Sequence, residues 1–348
     1  MPIQYKLSFA SRLARHFHIL WTSDQYPDME VSVPDFNKAF VLNIPVSSFN
    51  QNMAPLKFGR FYPSQILEAS IDLPAGLFRV TGIDGMTFTA DFNHPLAGKD
   101  ITLEKNSLNI EHLPVGKPEM ILEWGGIDAP LHEKDTDYSI PNAFDRLDSS
   151  DDTVFYEQPR KVIHVDQTCL SRITALYSDL IKTDDSVLDL MSSWRSHLPN
   201  KTFTVTGLGM NDTEMTDNLQ LHSHIIHDLN RNPNLPFDDR SFHAVVNTVS
   251  IEYLVNPQQV FSEVRRVLKP GGLVIVTFSN RYFPPKTTTF WPLLHPAERP
   301  GWVLQLLHSS GFSDLHCQIE RGLKRSEDDR YADQVEEMDP LFAVWGRS

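Results

Sequence analysis

Between residues 184 and 278 the chain alternates short apolar runs with polar or amphipathic connections. The runs are Ser186–Leu190, Phe203–Leu208, His243–Val249 and Gly272–Phe278. Each is short and rich in β-branched residues, as strands buried on both faces of a parallel sheet are. Strand, connection, strand, repeated, predicts βαβ units and a doubly wound, Rossmann-like α/β sheet. Ligands bind beyond the carboxyl ends of such strands. That edge holds Asp189, Met191–His197, Gly209–Asn211, Asp228–Leu229 and Asn247–Glu252.

Helical spacing flanks these runs. Asp166-Gln167-Thr168 can cap a helix whose apolar positions are Leu170, Ile173, Leu176, Tyr177, Leu180 and Ile181. A second helix carries Pro257, Val260, Phe261, Val264 and Val267 on one face and ends at Pro270-Gly271-Gly272. A further helix over 300–309 precedes a final antiparallel pair, 313–320 with 340–345.

The first third has a different texture. Ser8–Trp21 reads as an amphipathic helix. From Ala39 the pattern becomes β, with Phe40–Pro45 alternating and a hairpin turning at Asp84-Gly85. A strand follows at Asp100–Glu104. Residues 106–152 are rich in Pro, Gly and acids and read as a linker with turns. Within it Met120–Trp124 is a short strand or docking peptide, and Asp148–Asp152 is exposed. The expected organisation is a smaller β-rich domain over 1–115, a linker over 116–152, and the α/β domain over 153–348.

The succession VLDL, LPFDDRSFHAVV and FSEVRRVLKPGGLVIVTF resembles the class I S-adenosylmethionine (SAM) dependent methyltransferases, type 11-like, over roughly residues 152–348. The resemblance implies a doubly wound sheet, SAM as cofactor and methyl transfer to a small molecule or protein side chain. It departs from the family at the first loop. Where the family has D-x-G-x-G-x-G, the glycine positions hold Met191, Ser193 and Arg195. Glycine allows close backbone approach and positive φ, so this loop is expected to sit differently. The acid that ends the family's second strand is replaced by Gly209, while the acid near the adenine is kept as Asp228. Two readings stay open. Ser192, Ser193 and Asn211 replace the lost contacts, or the site is degenerate and the protein is a non-catalytic scaffold. The loop D-L-x-S-S-W-x-S-H and the turn Phe278–Pro284 resemble a variant subgroup, which favours the first.

On that reading Asp189, Ser192, Ser193, Trp194, Asn211, Asp228, Leu229 and Asn247 are the cofactor-binding candidates. His197, Glu252 and His164 are candidate bases, useful only when the acceptor atom carries a proton. Tyr156, Arg160, Tyr253 and Arg281 are substrate-binding candidates, with Trp194 and Tyr253 able to face a sulfonium by cation–π attraction.

A second resemblance rests on D-F-N-H-P-L-A-G-K-D-I-T-L-E, residues 91–104. It is similar to the late signature of SlyD-type FK506-binding-protein (FKBP) prolyl isomerases. It implies a local FKBP-like fold and a peptide-binding or prolyl isomerase module. That family's earlier strands and helix entry are missing here, so isomerisation is not expected. Phe49, Phe58, Phe61, Tyr62, Phe78, Phe88 and Phe92 are read as core.

Composition narrows the rest. A net charge of −14 with no Lys/Arg-rich run argues against a nucleic-acid partner. No run is apolar and long enough to span a bilayer. Cys169 and Cys317 are too few for a disulfide framework, so a cytoplasmic protein is expected. His222-x-His224-x-x-His227 invites a metal reading, but nothing nearby except Asp228 completes a ligand set, and no metal is expected.

Overall fold

The computed structural model describes residues 3–9, 11–23, 30–68, 73–107, 114–115, 117, 119–127 and 134–348. Five parallel strands form one half of a large sheet: β8 (Ser186–Leu190), β9 (Thr204–Gly209), β10 (Ser223–Ile226), β11 (Phe242–Thr248) and β12 (Leu268–Phe278). Val187, Leu188, Val245, Val246, Val274 and Ile275 are all inaccessible to solvent, as two-sided burial requires. The helices α3 (Gln167–Leu180), α4 (Asp212–Thr216), α5 (Pro257–Val267) and α6 (Arg299–Ser309) connect or flank them. Asp166 caps α3, accepting from the backbone N–H of Thr168 and Cys169. Helix α5 ends at Val267, three residues short of Pro270, and β12 begins at once.

The sheet continues through β14 (Leu341–Arg347) and β13 (Ser313–Arg321), then β2 (His16–Ser23), β1 (Ile3–Phe9) and β7 (Thr102–Ser107). Its order is β10-β9-β8-β11-β12-β14-β13-β2-β1-β7. The strand order reverses at β8, between β9 and β11, so the crevice lies at the end of β8.

The helix expected over Ser8–Trp21 is instead the hairpin of β1 and β2. Tyr5, Leu7 and Phe9, then Phe17, Ile19 and Trp21, alternate with polar residues at period two and bury one face. Strand β2 runs parallel to β13, with Ile19 opposite Ile319. Among the described residues of 1–115, both flanks, β1–β2 and β7, extend the large sheet. What stands apart is a four-stranded sheet of β3 (Val41–Pro45), β6 (Thr87–Asp91), β5 (Leu77–Asp84) and β4 (Phe61–Pro63), in that order. The Asp84-Gly85 hairpin forms as expected, with Gly85 at φ +49°. Phe49, Tyr62, Phe78 and Phe88 fill the core of this module.

Two further expectations are corrected. Met120–Glu123 is a short helix, α1, and the adjoining Trp124 stacks on Phe342 at 5.6 Å. The later part of the expected linker is packed down. Backbone bonds run from Thr289 N–H to Asp145 O and from Phe290 N–H to Ala143 O. Asp152, expected in an exposed run, is 5% exposed and opens a short helix, α2 (Asp152–Phe155). Its carboxylate meets Arg146 and the fully buried Lys286.

Candidate active site

Asp189 sits near the carboxyl end of β8 and is 3% exposed. Its Oδ2 accepts from Ser192 Oγ at 2.6 Å and Ser196 Oγ at 2.7 Å. Burial pushes its carboxyl up to about 6, against the pull of those two hydroxyls. Met191 follows with φ +62°, the left-handed conformation that glycine takes easily and a side chain takes at a cost of about 1–2 kcal/mol. At that position the backbone keeps the glycine conformation without the glycine.

Beyond it the loop crosses over β9. Ser192 N–H donates to Leu208 O. A Cβ built on Gly209 would lie 2.2 Å from Ser192 O. No side chain fits there, which explains why an acid is absent at the end of β9.

A carboxylate reaches the same corner from five residues further on. Glu214, in the first turn of α4, lines the cavity. It accepts from Ser193 Oγ and from Arg160 N–H, both at 2.5 Å. The sequence reading overlooked it, because only a folded α4 brings it back over the strand end. Asn211 is committed elsewhere. Its Oδ1 caps α4, accepting from Glu214 N–H at 2.9 Å, and its Nδ2 donates to Tyr156 O and Glu157 O. Trp194 Nε1 donates to Val162 O at 3.1 Å. Asn211, Glu214 and Trp194 thus hold the strap 156–162 over the site, and Asn211 also lines the cavity while Trp194 does not.

Asp228, after β10, accepts Asn230 N–H at 2.9 Å and Arg231 N–H at 3.2 Å, both on Oδ1. It lines the cavity beside buried Leu229. Asn247 lies behind the wall, fully buried, with Nδ2 donating to Leu190 O and Ser250 Oγ.

The candidate bases divide. His197 and His164 line the cavity. His197, at φ +55°, is lowered to about 4, by burial first and then by Arg195 and His164. Burial also lowers His164. Both are neutral near pH 7. Glu252 is 1% exposed and does not line this cavity.

Tyr156, Arg160 and Tyr253 do line it, and the Tyr253 hydroxyl accepts from Phe283 N–H at 2.8 Å. Arg281 does not. It is paired to Asp339 at 2.9 Å and Asp329 at 3.6 Å. It lines an adjoining groove of 810 Å³ that shares His164, Val249, Tyr253 and Phe283 with the first cavity, itself 140 Å³. Val249, between the two, holds φ +48°, costly for a β-branched residue and typical of functional sites.

His222, His224 and His227 go to separate partners: Val205 N–H, Asp212 and Asn232 O. Among the described residues no group of three or more His, Cys, Asp or Glu is placed to hold a metal.

Residues 196–276 match the methyltransferase domain family. A segment of the chain is 36% identical over 80 residues to a Mycolicibacterium smegmatis protein named "Probable S-adenosylmethionine-dependent methyltransferase", covering 22% of this chain and 31% of that one. Another is 33% identical over 57 residues to the malonyl-[acyl-carrier protein] O-methyltransferase of a Marinomonas species, covering 16% and 21%. The matches span about a third or less of these relatives. A SAM-dependent methyltransferase structure from Archaeoglobus fulgidus aligns with 52% of this chain and 94% of its own at 13% identity, with a TM-score of 0.39. The family match and the names of these relatives agree with the SAM-dependent methyl transfer expected from the sequence.

The site has features that suit a nucleoside sulfonium. Carboxylates stand beyond two adjacent strands, Glu214 past β9 and Asp228 past β10, each with lone pairs left for hydroxyl or amine donors. Leu208 and Leu229 give the apolar wall between them.

Proposed function

We propose that the chain is a SAM-dependent methyltransferase acting on a small molecule or protein side chain. The observation that carries this reading is the cavity at the switch point, with Asp189 at its base and Glu214 and Asp228 at neighbouring strand ends. Asp228 and Glu214 would hold the amine and the ribose hydroxyls. Ser192 and Ser193 would shape the loop beside them, through Asp189 and Glu214 respectively. The bound cofactor supplies an electrophilic methyl group. Tyr156, Tyr253 and Phe283 exclude water around it, and neutral His164 and His197 add no positive charge to a wall that already holds Arg160 and Arg195. Calorimetry with SAM and its demethylated product tests the reading. Absence of binding at millimolar ligand would sink it in favour of the scaffold.

Cytoplasmic residence and the lack of a nucleic-acid partner belong to the same proposal, on the buried free thiols and the −14 charge. No helix among the described residues is long and apolar enough to cross a membrane.

For the four-stranded module we propose bracing rather than prolyl isomerisation, although the 91–104 segment that leads out of it resembles the SlyD-type FKBP signature. The distinctive residues are consumed locally. Asn93 bonds Asn37 and Asp91, and His94 takes Leu96 N–H and meets Leu122 O. A proline-peptide isomerisation assay on the full chain is expected to give the uncatalysed rate.

A further inference from the structure

The turn after β11 and the segment leading into α6 enclose polar side chains that the first cavity does not use. Glu252 is 1% exposed and Arg299 4%. They feel each other's charge, and Tyr282 holds the guanidinium, yet neither Glu252 carboxylate oxygen has a side-chain partner and Arg299 Nε and Nη1 have none. Trp291 is likewise buried with an unbonded Nε1, and its ring centre lies 5.1 Å from the guanidinium. Leaving one such atom dry costs about 1–3 kcal/mol, and native proteins carry few of them. Three neighbouring side chains that leave polar atoms unsatisfied imply a group that satisfies them together.

The chemistry of that group follows from the charges. Arg299 stays protonated in any protein interior. Burial pushes Glu252 up to about 7, so it supplies at most part of a counter-charge near neutral pH. The cluster therefore lacks an anion. A guanidinium fork matches a planar carboxylate best. Glu252 adds acceptor oxygens for a donor on the same molecule. Half-buried Tyr282 has its ring 5.5 Å from the guanidinium and also lines the 810 Å³ groove. The cluster is also braced. Glu298, next to Arg299, is locked to Arg60 of the four-stranded module at 2.8 Å.

We infer that Glu252, Arg299 and Trp291 bind the methyl acceptor: a small molecule that presents a carboxylate to Arg299 and the Trp291 indole N–H, and an N–H or O–H donor to Glu252. Its role as acceptor rests on the methyl-transfer reading; the anion site itself does not.

The test is a titration of the full ¹⁵N-labelled chain with formate, reading the Trp291 indole and Arg299 Nε resonances. Saturable shifts are expected with formate and not with chloride at equal ionic strength. Arg299→Met abolishes them. Trp291→Phe, which keeps a ring and loses the N–H, weakens formate about fivefold, the worth of one hydrogen bond. Glycolate, which adds a hydroxyl to acetate, binds more tightly than acetate, and Glu252→Leu removes that difference. No saturable response, or an unchanged one in folded Arg299→Met, means the cluster holds water only and overturns the proposal. SAM calorimetry on the same sample separates the two claims. SAM binding without a formate response refutes the acceptor site alone. A formate response without SAM binding upholds the anion site and refutes methyl transfer, and with it the acceptor role.

Discussion

Asp228, proposed to meet the cofactor, also serves its own turn. Its Oδ1 is spent on its own turn, through Asn230 and Arg231, so in the proposed methyltransferase the adenine contact would fall to the other oxygen. Asp228→Ala is expected to weaken SAM at least tenfold in calorimetry, the loss of one buried hydrogen bond plus a looser turn. Asp189 makes a pH prediction. Its folded-state value of about 6 exceeds the ordinary 3.8, so the folded chain holds a proton that the unfolded chain has released. Stability from this group is complete below about pH 4 and is lost as pH rises through 6. Asp189→Asn should flatten that part of a denaturation-midpoint profile. A decline across pH 4–6 that persists in Asp189→Asn would assign it elsewhere, Glu252 being the next candidate. Asp189 and Asp228 were legible because chemistry and strand ends coincide in the sequence. Glu214 and Arg299 were not. One needs a helix turn to fold it back, the other a partner some fifty positions earlier in the chain.

At the scale of elements, the strap 156–162 is held by side-chain bonds to its backbone from Asn211, Glu214 and Trp194. A strap tied this way opens locally without unfolding the sheet beneath it. Asn211→Ala removes two donors to the strap and the cap of α4, about 1–2 kcal/mol in all. Hydrogen exchange of the strap amides is expected to quicken about tenfold, while β8 and β11 stay protected. Uniform quickening would mean the bonds hold the whole domain instead. The parallel strands were readable because burial on both faces leaves an unbroken apolar run. The hairpin of β1 and β2 was not. Residues 8–21 carry enough apolar positions to satisfy both a helical and a two-residue period, and only pairing with β13 selects between them.

Across the whole molecule, the four-stranded module and the large sheet meet at Arg60 and Glu298, 2% and 1% exposed. Arg60 also donates to Leu293 O, and Phe61 N–H donates to Glu298 Oε1. Removing one partner strands the other charge in the interior. Arg60→Met is expected to cost about 3–5 kcal/mol, read as a lower denaturation midpoint. Equal midpoints would show that the two bodies are joined by apolar contact alone. The parallel pairing of β2 with β13 has a consequence in time. Residues 16–23 are made well before the edge they must join, residues 313–321. Throughout synthesis the hairpin waits with an unpaired rim of backbone donors and acceptors, the kind of rim on which neighbouring chains stack. Covering it until β13 arrives is work for a chaperone. A circular permutant that places residues 3–23 after β14 should refold with less aggregation at equal final stability.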